Sequence, residues 1–334
     1  MLTRREAFGR LAAGMGLAVA RPGWAARAED DKESRGRIFI NPVRNPRGPA
    51  GPITGPVAID PADGSWTQVV ENMYALGVST DGRFVYGING GNQPAGTWSV
   101  DLKEGGEPRK IADERADRVW STVGGKIILS TFAFRAQPRK AWRINPDGSG
   151  REDLPIPDTD EVIDASADGR WLLTRSDRGA PKEGSFLRER RAIYRMRPDG
   201  GDECLVLEAG YFSATHRLSP DGRTVIYHHI EGDTFEGEKD FPKSSIWLVG
   251  SDGKGRRLLL KNPPGERYSQ AVWSPDSKRL AVRLIRRPDD LDEEVKILPL
   301  YRAVCRIDVV DLEGKRLERV PVPEEFHYLL VDWR

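Results

Sequence analysis

The chain has 334 residues, of which 38% are hydrophobic and 31% charged, which is enough for one large domain or two ordinary ones. This composition excludes a collagen, a coiled coil and a disordered tail. Lys and Arg total 52 against 51 Asp and Glu, so the formal charge of +1 gives no overall basic field and argues against a nucleic-acid partner. The 35 Gly, 24 Pro and nine Trp indicate many turns between short strands around an aromatic-rich interior.

The N-terminus carries the features of an export signal. Arg4 and Arg5 are followed by a weakly apolar run, 11–20, and then by Ala26-Arg27-Ala28 before acidic residues. This arrangement resembles a twin-arginine signal peptide, which implies a periplasmic or otherwise extracytoplasmic protein. A helix that belongs to the fold is the alternative. The predicted segments are the signal peptide, 1–28, a linker, 29–36, and the folded domain, 37–334.

Neither a membrane span nor a disulfide is expected in the folded domain. No later stretch approaches the ~20 apolar residues that a transmembrane helix needs. The two cysteines, Cys204 and Cys305, fall in non-adjacent units of the repeat described next. We therefore expect unbridged, largely buried thiols.

A short turn sequence recurs along the folded domain. Each copy joins two apolar runs, and its Asp and Gly supply the side-chain-to-backbone hydrogen bond and the positive φ that a tight hairpin needs. The copies begin at Ser79, Ser166, Ser219 and Ser274, with a degenerate one at 120–126. This series predicts one β-hairpin in each repeat unit.

A second series of turns alternates with the first and also lies between apolar runs. Its six members are Asp63-Gly64, Gly105-Gly106, Asp147-Gly148, Asp199-Gly200, Asp252-Gly253 and Glu313-Gly314. Two successive hairpins give four antiparallel strands, a to d, and such a sheet recurring every ~40–55 residues is a propeller blade. The sequence therefore predicts an all-β fold, a six-bladed β-propeller of four-stranded antiparallel blades.

The two ends of the chain are predicted to share the sixth blade. The first turn series has no sixth copy, and the last residues, 328–333, match the apolar run that ends at Trp273 in the fifth unit. We expect this C-terminal run to be strand a, and the N-terminal runs 37–40, 55–59 and 66–70 to be strands b, c and d. A blade built from both ends closes the ring and hides two sheet edges.

The Ser-Pro-Asp-Gly-Arg type of repeat resembles that of the TolB-type propellers over nearly all of residues 37–334. The resemblance implies a six-bladed propeller. The member that names the family also carries an N-terminal α/β domain and binds a peptidoglycan-associated lipoprotein, and we expect no such domain here. Related repeats accompany prolyl-oligopeptidase-like hydrolases, but the Gly-x-Ser-x-Gly motif of those enzymes is absent from this sequence.

Long connections between strands b and c mark the predicted binding face. Successive glycines of the second series are 42, 42, 52, 53 and 61 residues apart, counted from Gly64 through Gly106 to Gly314. The extra residues fall in 176–190, 231–243 and 286–301, with a further irregular segment at 41–54. These connections emerge on one face of a propeller, where long loops on a rigid scaffold usually bind ligands. The candidate ligand-binding residues are Arg188, Arg190, Arg191, His228, His229, Asp233, Asp290 and Glu293.

The charges of these connections differ from blade to blade. The connection of the third blade is rich in arginine, whereas those of the fourth and fifth are rich in Asp and Glu. A face that is basic on one side and acidic on the other suits a protein or peptide partner better than a polyanion. The alternative is that these are ordinary solvated loop charges.

The histidines offer a second hypothesis, a metal site. His216 lies in strand a of the fourth blade, and His228 and His229 end its strand b. An ion would need a third ligand such as Asp233 or Glu231, and the alternative set of metal ligands is His216, His228 and Asp233. Adjacent residues of a strand point to opposite faces, which favours one packed and one exposed imidazole.

No other pattern indicates catalysis. Trp120, Trp273 and Trp333 occupy equivalent positions before the a–b turns, which favours packing between blades over a sugar-stacking platform. We therefore expect an exported, monomeric, non-catalytic TolB-like propeller without a cofactor that binds a protein or peptide at the cell envelope. The alternatives are a metal-dependent polysaccharide lyase or hydrolase with its site over the channel, and a structural repeat domain with no ligand.

Overall fold

A computed structural model describes residues 36–42, 55–89, 95–105, 107–131, 139–178, 191–210, 212–230, 244–286, 304–322 and 328–334. These residues form strands and turns. Within these ranges no helix is long and apolar enough to cross a membrane. The predicted signal peptide, and the predicted linker except for Gly36, lie outside the described residues.

The described strands are short and follow the predicted order along the chain. They are β1 (Ile38–Pro42), β2 (Val57–Ile59), β3 (Trp66–Gln68), β4 (Met73–Val78), β5 (Phe84–Asn89), β6 (Thr97–Asp101), β7 (Arg109–Ala112), β8 (Arg118–Ser121), β9 (Ile127–Thr131), β10 (Lys140–Ile144), β11 (Glu152–Asp153), β12 (Asp160–Ala165), β13 (Leu172–Ser176), β14 (Arg191–Met196), β15 (Cys204–Gly210), β16 (Phe212–Leu218), β17 (Thr224–Ile230), β18 (Ser244–Gly250), β19 (Arg257–Lys261), β20 (Glu266–Trp273), β21 (Arg279–Arg286), β22 (Val304–Asp311), β23 (Arg316–Val320) and β24 (Tyr328–Trp333).

The strands form six four-stranded antiparallel sheets arranged in a ring, which confirms the predicted six-bladed propeller. From the inner to the outer strand, the blades are I (β4-β5-β6-β7), II (β8-β9-β10-β11), III (β12-β13-β14-β15), IV (β16-β17-β18-β19), V (β20-β21-β22-β23) and VI (β24-β1-β2-β3). The inner strand of each blade contacts the inner strands of both neighbouring blades, so the ring is closed.

Blade VI is built from both ends of the chain, as predicted. Its inner strand β24 pairs with β1, with Trp333 opposite Ile38 and Leu329 opposite Asn41. The main-chain N–H of Arg334 donates to Arg37 O at 2.9 Å and extends this pairing. The C-terminal strand therefore lies on the channel side of three N-terminal strands.

The a–b turns show why the Ser-x-Asp-Gly sequence recurs. In blade IV, Ser219 Oγ donates to Asp221 Oδ1 at 2.6 Å and accepts from the main-chain N–H of Thr224 at 2.9 Å. Asp221 Oδ1 also accepts from the N–H of Arg223 at 3.1 Å. Gly222 between them has φ 72°, in the left-handed region that glycine enters without strain. The hydroxyl, the carboxylate and the glycine together define the turn.

The c–d turns require glycine for a second reason, which is close packing against the preceding blade. Gly148 has φ 85°, and a Cβ at this position would lie 2.7 Å from Ile111 O in the outer strand of blade I. Gly253 meets Leu205 O of blade III in the same way, also at 2.7 Å. The second turn series thus also holds neighbouring blades together.

The core lies between the blades. Among the described residues, six apolar clusters each join one pair of neighbouring blades. Trp120, Trp273 and Trp333 belong to three of them and are buried, which confirms their predicted packing role. This packing makes the ring a rigid frame for whatever its faces bind.

Candidate functional site

The two faces of the ring differ in their connections. The a–b and c–d turns lie on one face, called here the lower face, and the b–c and d–a connections lie on the opposite, upper face. The long b–c connections follow β1, β13, β17 and β21, so all four leave the upper face, as predicted. Arg191, His228 and His229 lie in described strands. The other predicted ligand-binding residues, Arg188, Arg190, Asp233, Asp290 and Glu293, lie outside the described residues and stay predictions.

Blade III carries a buried carboxylate at its upper end. Asp160, the first residue of the inner strand, is 1% exposed and accepts a 2.5 Å hydrogen bond from Ser176 Oγ. Arg178 donates to this carboxylate at 2.8 Å, pairs with Glu203 at 2.7 Å, and lies 4.3 Å from the Tyr194 ring centre. The hydrogen bond with Glu203 raises the pKa of Arg178 above its usual range. Arg178 is therefore fixed as a cation where the b–c connection begins.

A second buried carboxylate, Glu161, bridges two arginines of neighbouring strands. Glu161 is 2% exposed, and its Oε2 accepts from Arg175 at 2.7 Å and from Arg191 at 3.3 Å. Arg191 Nε also lies 2.8 Å from Asp177 Oδ1, and Asp177 pairs with Arg139 of blade II. These ion pairs fix Arg191, a predicted ligand-binding residue, at the other end of the same b–c connection.

Arg118 adds a positive charge from the inner strand of blade II. Burial and, to a smaller extent, the neighbouring Arg217 lower its pKa to about 10, while Glu161 acts in the opposite direction. Arg118 therefore stays a cation at neutral pH. The upper part of the ring between blades II and III holds more positive than negative charge around Glu161.

The predicted histidines lie in blade IV beside this charged region. His216 is 3% exposed, and burial, followed by the positive charge of Arg175, lowers its pKa to about 3. Burial, followed by the positive charge of Arg267, lowers the pKa of His228 to about 4. Both imidazoles are therefore neutral at pH 7, the form that binds a metal ion.

His228 and His229 point to opposite faces of their strand, as predicted. His228 is buried and hydrogen-bonds to the main chain at Tyr268 of blade V. His229 is half-buried and meets the edge of Trp247 in its own blade, with 6.1 Å between ring centres. Within the described part of the chain, no group of three or more His, Cys, Asp and Glu could hold a metal ion. The alternative set of His216, His228 and Asp233 stays a prediction.

A cavity at the lower end of the channel was not predicted. Its walls come from the inner strands of all six blades and include Trp120 and Trp273. Asp164 lies in this wall, accepts a 2.7 Å hydrogen bond from the N–H of Leu218, and is 3.9 Å from Arg217. Burial raises the pKa of the Asp164 carboxyl, and Arg217 opposes the shift. Both charged residues stand two positions before the serine of their turn, which is the sequence signal that could have revealed them.

The cysteines match the prediction in their bonding and only partly in their burial. Cys204 and Cys305 are both thiols outside any disulfide. Cys305, in blade V, is 8% exposed, as expected for a buried thiol. Cys204, in blade III, is only partly buried, so the expected burial is confirmed for Cys305 alone.

Solved structures share this architecture at low sequence identity. TolB from Acinetobacter baumannii matches with a TM-score of 0.63 at 17% identity, covering 89% of this chain and 66% of that chain. A putative TolB from Agrobacterium tumefaciens matches with a TM-score of 0.53 at 16% identity, covering 86% and 88%. The fold is a TolB-like β-propeller. The matched region spans just under two thirds of the Acinetobacter protein.

An enzyme shares the same fold. An oligogalacturonate lyase in complex with manganese matches this TolB-like propeller with a TM-score of 0.53 at 14% identity, covering 87% of this chain and 76% of that chain. No family model matches the sequence. An uncharacterized protein of Agrobacterium fabrum is 27% identical over 135 residues, which is 40% of this chain and 40% of that protein. Similarity at these levels establishes the fold, and the function has to be argued from the site.

Proposed function

We propose that this TolB-like propeller is exported and acts as a non-catalytic binding module for a protein or peptide partner at the cell envelope. The partner would bind the upper face over blades III to V. The observation that carries this proposal is the pair of fixed arginines, Arg178 and Arg191, near the two ends of the longest basic connection.

Arg178 and Arg191 are held in place before any partner arrives. Each is paired with a carboxylate that is 2% exposed or less. Because an ordered side chain loses little conformational entropy on binding, it contributes more to affinity than a mobile surface charge does. Ordered charges also select partners by electrostatic complementarity. A charged peptide or protein surface fits such an arrangement better than a small apolar ligand does.

Export to the envelope is supported by two features. Residues 1–28 resemble a twin-arginine signal, and the fold is that of the TolB structures. Replacing Arg4 and Arg5 together by lysine keeps the charge of the segment and removes its paired arginines. We expect this variant to stay in the cytoplasm with its signal uncleaved, whereas the wild-type chain is recovered from the periplasm. Equal export of both would contradict the twin-arginine route.

The binding face can be tested with two exposed valines on opposite faces. Val304, which begins β22 on the upper face, is 39% exposed, and Val123, in an a–b turn on the lower face, is 73% exposed. A photo-crosslinking amino acid at each position is activated in living cells, and adducts are identified by mass spectrometry. We expect one discrete protein adduct from position 304 and none from 123. Adducts only from 123, or the same adducts from both, would place the partner elsewhere.

A second candidate function is a metal-dependent enzyme acting on a polysaccharide. It is favoured by the neutral imidazoles of His216 and His228, and by the hydrogen bond between His228 and the main chain at Tyr268. Metal-ligating histidines usually have such a partner, which orients the ring. With Asp233 they would form the ligand set, and the metal would polarise a substrate oxygen or activate water.

Elemental analysis separates the two candidate functions. Under the enzyme hypothesis, protein purified without chelator carries about one equivalent of Zn, Mn or Ca, and the variant His228→Ala loses it. Under the binding hypothesis, both proteins carry no stoichiometric metal. The matched control is His229→Ala, because His229 points to the opposite face of the same strand and should leave any bound metal in place.

A further inference from the structure

The packing between blades V and VI contains a buried cation that the proposed binding function does not use. Arg283, in the middle of β21, is 1% exposed. It lies opposite Ile307 and on the same face as Ile285, and both belong to the apolar cluster between the two blades. A guanidinium cannot lose its proton in a protein, so its charge must be compensated where it lies.

The hydrogen-bond partners of Arg283 include one group that can become an anion. Arg283 Nη1 donates to Ser269 Oγ and Nη2 donates to Cys305 Sγ, both at 3.3 Å. Among the described residues, Arg283 forms no ion pair with a carboxylate. A thiol beside a cation ionises more readily than an ordinary thiol, and the thiolate is the reactive form of cysteine. We propose that Cys305 is a thiolate paired with Arg283 and that it is a site of oxidation by hydroperoxides.

Two buried hydrogen-bond donors beside this sulfur support the proposal independently. Tyr328, of the inner strand of blade VI, is 0% exposed, and Arg283 Cζ lies 5.8 Å from the centre of its ring. Neither Tyr328 Oη nor Arg283 Nε has a hydrogen-bond partner in the described part of the chain. Unsatisfied buried donors are unfavourable and call for an acceptor. An oxygen atom added to the sulfur of Cys305 would supply that acceptor.

The surrounding charges favour the thiolate over the thiol. From blade VI, Tyr328 lies in the same apolar cluster as Cys305, and burial raises the pKa of its phenol, which therefore keeps its proton. From β20, Arg267 adds positive charge next to Arg283. On β22 itself, Asp308 is ion-paired to two arginines. Arg283 is thus the charged group that contacts the sulfur directly.

The oxidation step balances with a hydroperoxide as co-reactant. The Cys305 sulfur attacks the terminal peroxide oxygen, a sulfur–oxygen bond forms, and the oxygen–oxygen bond breaks. The sulfur loses two electrons and becomes a sulfenate, while the proton of the transferred oxygen ends on the rest of the peroxide, which leaves as water or an alcohol. Tyr328 and Arg283 then donate hydrogen bonds to the new oxygen. Because Cys305 is 8% exposed, the site admits a small peroxide in preference to a bulky thiol reagent.

Ionisation of Cys305 can be measured by thiolate absorbance at 240 nm, which needs no access by a reagent. In Cys204→Ala, Cys305 is the remaining thiol, and the same protein in denaturant is the reference. We expect the folded protein to hold at least tenfold more thiolate at pH 7 than the denatured protein, in which an ordinary thiol ionises near pH 8.5. Adding Arg283→Gln should abolish this excess, and Arg283→Lys should restore part of it. Equal thiolate content in the folded and denatured Cys204→Ala protein would overturn the proposal, whether or not the Arg283 variants fold.

Reactivity is tested in the wild-type chain, where Cys204 is an internal control of greater exposure. The folded protein is treated with equimolar hydrogen peroxide at pH 7, the reaction is stopped with catalase at set times, and the chain is then denatured in the presence of dimedone, which traps a sulfenate. Each cysteine is quantified by peptide mass spectrometry. We expect Cys305 to be labelled at least tenfold faster than Cys204. Equal labelling, or labelling of Cys204 alone, would contradict a peroxide-sensitive site. Tyr328→Phe removes one donor and should shorten the lifetime of the sulfenate without changing the initial thiolate content.

Discussion

Two glycines of blade II test whether close packing between blades, and not only turn geometry, requires glycine in the second turn series. Gly125, in the a–b turn, and Gly148, in the c–d turn, have φ of 78° and 85°. A Cβ at Gly125 would meet no atom within 4 Å. At Gly148 it would lie 2.7 Å from Ile111 O and 3.2 Å from Ile111 Cα, both main-chain atoms of blade I. Alanine at the two positions therefore has the same backbone penalty and differs in the space available.

The expected losses of stability follow from these contacts. A left-handed conformation costs an alanine about 1–2 kcal/mol, and the lower entropy of the unfolded chain returns about 0.4–1 kcal/mol. Gly125→Ala should therefore lower the free energy of unfolding by about 1 kcal/mol. At Gly148 the outer strand of blade I must also move by several tenths of an ångström, and overpacking of this kind costs about 1–3 kcal/mol more. We expect Gly148→Ala to lose about 2–4 kcal/mol in total.

Urea unfolding at pH 7, followed by tryptophan fluorescence, measures both losses. The free energy in water comes from the midpoint and the slope, and unchanged slopes show that native stability is what changed. Equal losses for the two variants would refute the reasoning, because φ alone would then account for glycine in the c–d turns. A larger loss at Gly125 would refute it as well.

Two further substitutions probe the closure of the ring and the charged region of blade III. Trp333→Ala removes a fully buried side chain between blades V and VI and should lower the free energy of unfolding by about 3–5 kcal/mol. Trp333→Phe, its control, should lower the free energy of unfolding clearly less. Urea unfolding measures both. Glu161→Gln leaves the two arginines that it bridges without their buried carboxylate and should cost about 3–5 kcal/mol. Its control is Glu152→Gln, which breaks an exposed ion pair and should have little effect on stability, so similar losses for both would contradict the structural role of Glu161.

The ring could be predicted from the sequence because each of its units is specified locally. The serine, aspartate and glycine of an a–b turn lie within six residues and bond to one another, so their chemistry is visible without knowing the rest of the fold. The a–b turn of blade V has Ser277 in place of glycine, and Ser277 still adopts the left-handed φ of 61° that this turn position requires. The closing strand β24 was predictable for the same reason, since its apolar pattern repeats that of the strand before Trp273.

The charged region at the upper face could be only partly predicted, because its contacts join residues that are distant in sequence. Arg139 and Asp177 pair across blades II and III and are 38 positions apart in the chain. The arginine-rich connection of blade III was visible in the sequence, and Arg191 was among the predicted residues. That Glu161 and Asp160 would fix Arg191 and Arg178 depends on how strands a, b and c lie side by side, which no local pattern specifies.

Arg283 shows where sequence reasoning ends and structure is needed. It lies within a strand, Arg279–Arg286, whose residues 280–285 are all buried, so an arginine there conflicts with the apolar pattern and already signals a buried charge. The sequence cannot name the group that contacts Arg283, because Cys305 lies 22 positions further along the chain, on the next strand of the blade. The strand register identifies this contact. Arg283 lies opposite Ile307 and Cys305 lies opposite Ile285, so the sulfur and the guanidinium are on the same face of the sheet. A charged residue within an otherwise apolar, buried strand therefore indicates where a chemical function can be sought. The strand register then identifies the side chain that contacts the charge.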